Sequence, residues 1–118
     1  MPSMIMVDDL PQLLEFLKTV FDAEITDIAD DGFGKIWSAK LRIGDKDMVF
    51  ADTRKRHPAQ PTNIYLYVKS AVESYERAIT AGAEHIEYGV VRDPAGNTWW
   101  LADAASADQK KDSAIRAA

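Results

Sequence analysis

Apolar positions along the chain alternate between two rhythms, a period of two and a period near 3.6, in an order that recurs in the second half. Met4-Ile5-Met6-Val7 predicts a strand, after which Leu10, Leu13, Leu14, Leu17, Val20 and Phe21 recur at the spacing of an amphipathic helix. Asp8 or Asp9 can cap that helix, and Pro11 is tolerated where first-turn amides have no intrahelical acceptor to lose. Beyond Glu24-Ile25-Thr26, the segment Asp30-Asp31-Gly32-Phe33-Gly34 reads as a turn, and Ile36 to Ile43 alternates as a strand, so a hairpin is expected. Gly44-Asp45-Lys46-Asp47 forms the next turn, and Met48-Val49-Phe50-Ala51 the last strand of this half.

Thr53 to Pro61 is polar and proline-bearing and reads as a connector. Ile64-Tyr65-Leu66-Tyr67-Val68 is then a strand, and Ser70 with Glu73 makes the S-x-x-E box that opens a helix running through Ile79 and closed by Gly82. Asp93-Pro94-Ala95-Gly96 has the residues of a type I turn and leads into Thr98-Trp99-Trp100-Leu101. Each half thus reads as strand, helix and further strands. Overlaying them matches Phe50 with Trp100 and leaves the segment between Glu84 and Val91 about ten residues shorter than its counterpart, a shortened hairpin. A sheet with a helix on one face leaves the other face uncovered, so the halves, or two chains, are expected to pair. The expected organisation is one domain over residues 1–103, with modules 1–52 and 62–103 and connector 53–61. Residues 104–118 form a polar, helix-prone, loosely held tail.

A formal charge of −5 argues against a nucleic-acid surface, which needs excess Lys and Arg. No window approaches the roughly 18 consecutive apolar residues of a membrane span. Without cysteine there is no disulfide, thiolate nucleophile or Cys-based zinc site, and a cytoplasmic location is expected. Two histidines and no glycine-rich phosphate loop leave little for a nucleophilic or phosphoryl-transfer site.

Two tandem βαβββ modules, with V-D-D-L before the first helix, G-A-E after the second and V-R-D-P-A-G-N-T-W-W-L-A near the end, resemble the glyoxalase/bleomycin-resistance/dioxygenase superfamily, the vicinal oxygen chelate proteins. The resemblance spans residues 3–103 and rests most on R-D-P-x-G-N. It implies an α+β fold in which the two modules form a cup-shaped mixed sheet, and a homodimer. It also implies metal ligands on the first and last strands of each module. Those positions fall here on Pro2, Asn63, Phe50 and Trp100, and none is a good ligand. A register shifted by two gives Met4, Tyr65, Asp52 and Ala102, or Met48 and Thr98, of which only Asp52 can bind a metal. No metal and no cofactor is therefore expected.

Period-two reading puts Ile5, Val7, Val49, Ala51, Ile64, Leu66, Val68, Trp99 and Leu101 on the helix side. The cup then receives Met4, Met6, Met48, Phe50, Asn63, Tyr65, Tyr67 and Trp100, with Ser38, Lys40 and Arg42 beside them. Such a lining suits a flat aromatic or amphipathic ligand, though the same residues can simply fill a core. Asp52 near Tyr65 is the best site for metal-free acid/base work. Arg42 and Arg92 can pair with Asp45 or Asp93, or meet an anion, and Arg54-Lys55-Arg56-His57 can draw an anion to the cup entrance, where a solvated loop is the commoner meaning. The expected function is metal-independent binding and sequestration of a bulky aromatic compound such as an antibiotic, leaning away from an enzyme. The alternatives are a lyase or isomerase acting without the usual metal, and a degenerate subunit that only dimerises.

Overall fold

The structure is a computed structural model that describes residues 4 to 104. Ten elements follow one another: β1 Met4–Val7, α1 Leu10–Phe21, β2 Glu24–Asp30, β3 Ile36–Ile43, β4 Lys46–Asp52, β5 Asn63–Val68, α2 Ala71–Thr80, β6 Glu84–Glu87, β7 Val90–Arg92 and β8 Thr98–Asp103. They make two four-stranded sheets of matching order, β1-β4-β3-β2 and β5-β8-β7-β6, in which only the first and last strand of each module run parallel. This is the expected pair of βαβββ modules, with a hairpin in the second that has shrunk to β6, β7 and a turn at Tyr88-Gly89. The expected tail beyond Ala104 lies outside the described residues, as does Pro2.

The caps are those the side chains predict. Asp9 Oδ1 accepts from the Gln12 amide at 3.4 Å, and Ser70 Oγ accepts from the Glu73 amide at 3.2 Å. Both helices lie on the inner side of their sheets and touch each other, α1 on β3 and β4, α2 on β5, β7 and β8. One hydrophobic core results, gathering Leu10, Leu13, Leu17, Leu41 and Phe50 from the first module and Leu66, Val91 and Trp99 from the second. Phe21 and Trp99 meet across the modules with ring centroids 5.0 Å apart. The turn between β3 and β4 leans on β5 so closely that a Cβ on Gly44, whose φ is +55°, would stand 2.6 Å from the Tyr67 carbonyl oxygen.

The register corrects one expectation. Ile5 is opposite Phe50 and Met4 is opposite Val49, so Phe50 and Met48 share the helix side with Ile5, while Val49 and Ala51 share the outer side with Met4 and Met6. Phe50 is fully buried and Met48 nearly so. The overlay that matches Phe50 with Trp100 is one residue out, and in a strand a one-residue slip exchanges the faces. Met48-Val49-Phe50-Ala51 is apolar throughout, so alternation alone does not choose between the two registers. In the second module the reading holds: Tyr65 is opposite Trp100 on the outer side, and Ile64 is opposite Trp99 within.

Candidate functional site

The helix-free faces carry the remaining cup residues. Met4, Asn63, Tyr65 and Trp100 are exposed, and Met6 and Tyr67 are half-buried. Tyr65 and Tyr67, two apart on β5, meet edge to face at 5.2 Å. Trp100 Nε1 donates to Asn63 Oδ1 at 3.2 Å, which gives the indole its polar partner and holds the ring against the strand. Ser38 is opposite Ala51 and Lys40 is opposite Val49, so the polar row of β3 lies on this face as expected.

Two hollows adjoin it. One, of about 530 Å³, runs between the modules and is lined by Met4, Met48, Gln60, Asn63 and Tyr65 among others. The second, of about 480 Å³, is lined by Met4, Met6, Trp37, Ala51, Asp52, Arg54, His57, Pro58 and Gln60. Met4 and Gln60 border both. Phe50 borders neither, and Tyr67 and Trp100 stand on the open face beside them. Trp37, Pro58 and Gln60 are lining that the sequence pattern does not indicate, whereas Arg54 and His57 come from the basic run read as able to draw an anion to the cup entrance. The connector folds back because the Thr53 amide donates to the Val7 carbonyl and the Gln60 amide to that of Met6, both at 2.9 Å, and no local pattern announces this.

Asp52 does different work from the acid/base role considered for it. Its Oδ2 accepts from the Leu10 amide at 3.0 Å and its Oδ1 from the Arg54 amide at 2.8 Å, so it joins the end of β4 to the start of α1 and to the connector. The arginines also pair otherwise than expected: Arg42 reaches Asp47 at 3.2 Å and Arg92 reaches Glu84 at 2.9 Å. Asp93 is instead buried in its own turn. It accepts from Trp99 Nε1 at 2.7 Å, from the Ala95 amide at 2.8 Å and from both nitrogens of Asn97. The R-D-P-x-G-N segment is thus a structural clasp on β8. Burial pushes the Asp93 carboxyl above the ordinary value, and the hydrogen bonds from Trp99 and Asn97 only partly offset this.

The outward positions of the first and last strands are Met4 and Met6, Val49 and Ala51, Asn63, Tyr65 and Tyr67, and Thr98 and Trp100. They offer no imidazole and no carboxylate, and among the described residues no three His, Asp or Glu side chains gather to hold a metal ion. The donor set does not fit the metal site that the family resemblance implies on these strands. No described helix is long and apolar enough to cross a membrane.

No family model and no curated protein matches the chain. Solved structures do. A gene product of Arabidopsis thaliana superposes with a TM-score of 0.73 at 21% identity, over 87% of this chain and 97% of its own. TioX from Micromonospora sp. ML1 gives 0.72 at 20% identity, over 87% and 96%. The fosfomycin resistance protein FosX from Mesorhizobium loti gives 0.67 at 17% identity, over 94% and 95%. The likeness to these structures is one of fold, along nearly the full length of each.

Proposed function

We propose that this chain is a metal-independent binding protein that sequesters a bulky aromatic or amphipathic small molecule, and that it works as a homodimer. One observation carries the reading: the helix-free face, where the family resemblance implies metal ligands, presents Met4, Met6, Tyr65 and Trp100, with Met4 49% and Trp100 38% exposed. A thioether and aromatic surface of this kind is costly in water unless something covers it, and it matches a flat apolar ligand in shape and chemistry. A second copy covers the rest of that face, because each sheet has helices on one side only. The structural neighbour FosX is a fosfomycin resistance protein, which is in keeping with a role towards an antibiotic. A metal-free lyase or isomerase gains no support, since both Asp52 oxygens are engaged by backbone amides.

Tryptophan fluorescence titrated with a panel of polycyclic aromatic compounds tests the reading, with and without a chelator. Saturable quenching that the chelator leaves unchanged, with the ligand recovered intact, is expected. A tightly held metal at about one per chain after dialysis, or chemical conversion of the ligand, would overturn it. Light scattering should give twice the 13.1 kDa chain mass.

A further inference from the structure

Arg42, Arg77 and Arg92 each hold a carboxylate, on Asp47, Asp22 and Glu84. Arg54 and Arg56 do not, among the described residues, although the chain carries 19 acidic residues against 14 Lys and Arg. Both belong to the connector, and both border a hollow of about 350 Å³ beside Trp37. Arg54 and Trp37 also border the larger hollow that reaches Met4 and Met6 on the cup face. The Arg54 guanidinium lies over the Trp37 ring, its carbon 4.9 Å from the ring centroid. A guanidinium held over a ring keeps its in-plane N–H donors for an acceptor.

The backbone is bent to put it there. Arg54 and Lys55 have φ of 54° and 58°, the left-handed region that side-chain-bearing residues rarely enter. The strain is held by Asp52, which accepts from the Arg54 amide, and by the Thr53 carbonyl, which accepts from the Arg56 and His57 amides at 2.9 and 3.2 Å. Strain retained at two adjacent residues, ending in a cation stacked on an aromatic ring and, among the described residues, outside salt-bridge distance of any carboxylate, marks a place built to meet something. The carboxylates that border these hollows accept from backbone amides, Asp52 as described and Asp31 from those of Phe33 and Lys35, and Arg54 acts on Asp31 only as a charge at longer range, the last of the causes that lower that carboxyl.

We propose that the cup selects an aromatic compound bearing an oxyanion, the ring lying on Met4, Met6 and Trp37 and the anion meeting Arg54, with Arg56 behind it. This rests on the binding function above and names the ligand class for it. Calorimetric titration with 2-naphthoate and 2-naphthamide, which share a ring and differ in charge, tests it. Wild-type protein should bind the naphthoate about tenfold more tightly, and added sodium chloride should erode that advantage. In Arg54→Gln the ratio between the two ligands should fall towards one. Arg54→Lys, which keeps the charge and loses the planar fork, should lie between, and it carries the test if the glutamine variant fails to fold. Equal wild-type affinity for both ligands overturns the anion and leaves the cup standing. A preference for naphthoate that survives both substitutions also overturns the assignment. Binding of neither ligand removes the inference together with the reading beneath it.

Discussion

Asp52 and Asp103 hold the same post in the two modules: each ends its module's last strand, and each accepts from the first amide of that module's helix, Leu10 at 3.0 Å and Ala71 at 2.7 Å. The carboxylate thus ties strand end to helix start and sits where the helix dipole favours negative charge. Asp52 holds the Arg54 amide as well. Asp52→Ala should therefore cost about 1–2 kcal/mol and Asp103→Ala about 0.5–1 kcal/mol, as measured by urea unfolding. The sites share no partner, so the double variant should be close to additive. A neutral Asp52→Ala would show that water replaces it without loss.

Phe50 and Trp100 separate core from cup. Phe50 has no exposed surface and sits among Ile5, Leu13 and Leu41, so Phe50→Ala should lose about 3–5 kcal/mol and leave little folded protein to assay. Trp100→Ala removes an exposed ring and should change stability by about 1 kcal/mol or less while weakening aromatic ligands by about 1–3 kcal/mol, the worth of one stacking contact. Denaturant midpoints alongside ligand titrations check both. If Trp100→Ala unfolds the protein, or binds as wild type does, the ring is not part of the site.

This pair also marks how far the sequence could be read. Strand-helix order, both caps, the Asp93 turn and the short second hairpin are local patterns, carried by residues a few positions apart. The face of β4 was not legible, because its four central residues are all apolar and packing decides which of them turn inward. The aspartates that close β4 and β8 carry the register: Asp52 is opposite Val7 as Asp103 is opposite Val68. Trp37 and Arg54 meet across a folded-back connector, a tertiary event with no spacing to betray it.

Asp93 makes the folding equilibrium respond to pH in a direction opposite to most carboxylates. Burial raises it above the ordinary 3.8, the net of a desolvation that its hydrogen bonds do not cancel. A carboxyl whose folded value exceeds its unfolded one holds its proton more firmly in the folded state. Its contribution is complete below the unfolded value and is lost as pH rises through the folded value. Asp31, lowered chiefly by the Phe33 amide, works the other way but is common to wild type and to Asp93→Asn. The unfolding free energy of wild type minus that of the variant should therefore fall as pH rises through the ordinary carboxylate value and beyond it to the raised one. A difference that rises over that range would mean that the hydrogen bonds outweigh burial.

The shortened hairpin bears on ligand size. In the first module β2 and β3 run to 7 and 8 residues, whereas β6 and β7 have 4 and 3, and every residue of β6 is exposed. One wall of the second half-cup is therefore low. A low wall leaves apolar lining open to water, a cost for a site that must close over a small substrate and an advantage where a large rigid one protrudes. Tetracyclic aromatic compounds should accordingly bind more tightly than bicyclic ones of like charge, each further ring adding contact that nothing obstructs. Lengthening the turn at Tyr88-Gly89 by a few residues should raise the wall and weaken the tetracyclic ligand by about tenfold, while the bicyclic one changes little. Both affinities can be read by calorimetry on the same two proteins. If the lengthened turn weakens both ligands alike, the hairpin is acting on the fold and not on the space above the cup. If wild type prefers the bicyclic compound, the site is closed on that side by something other than β6 and β7, and the second copy of the chain is the first place to look for it.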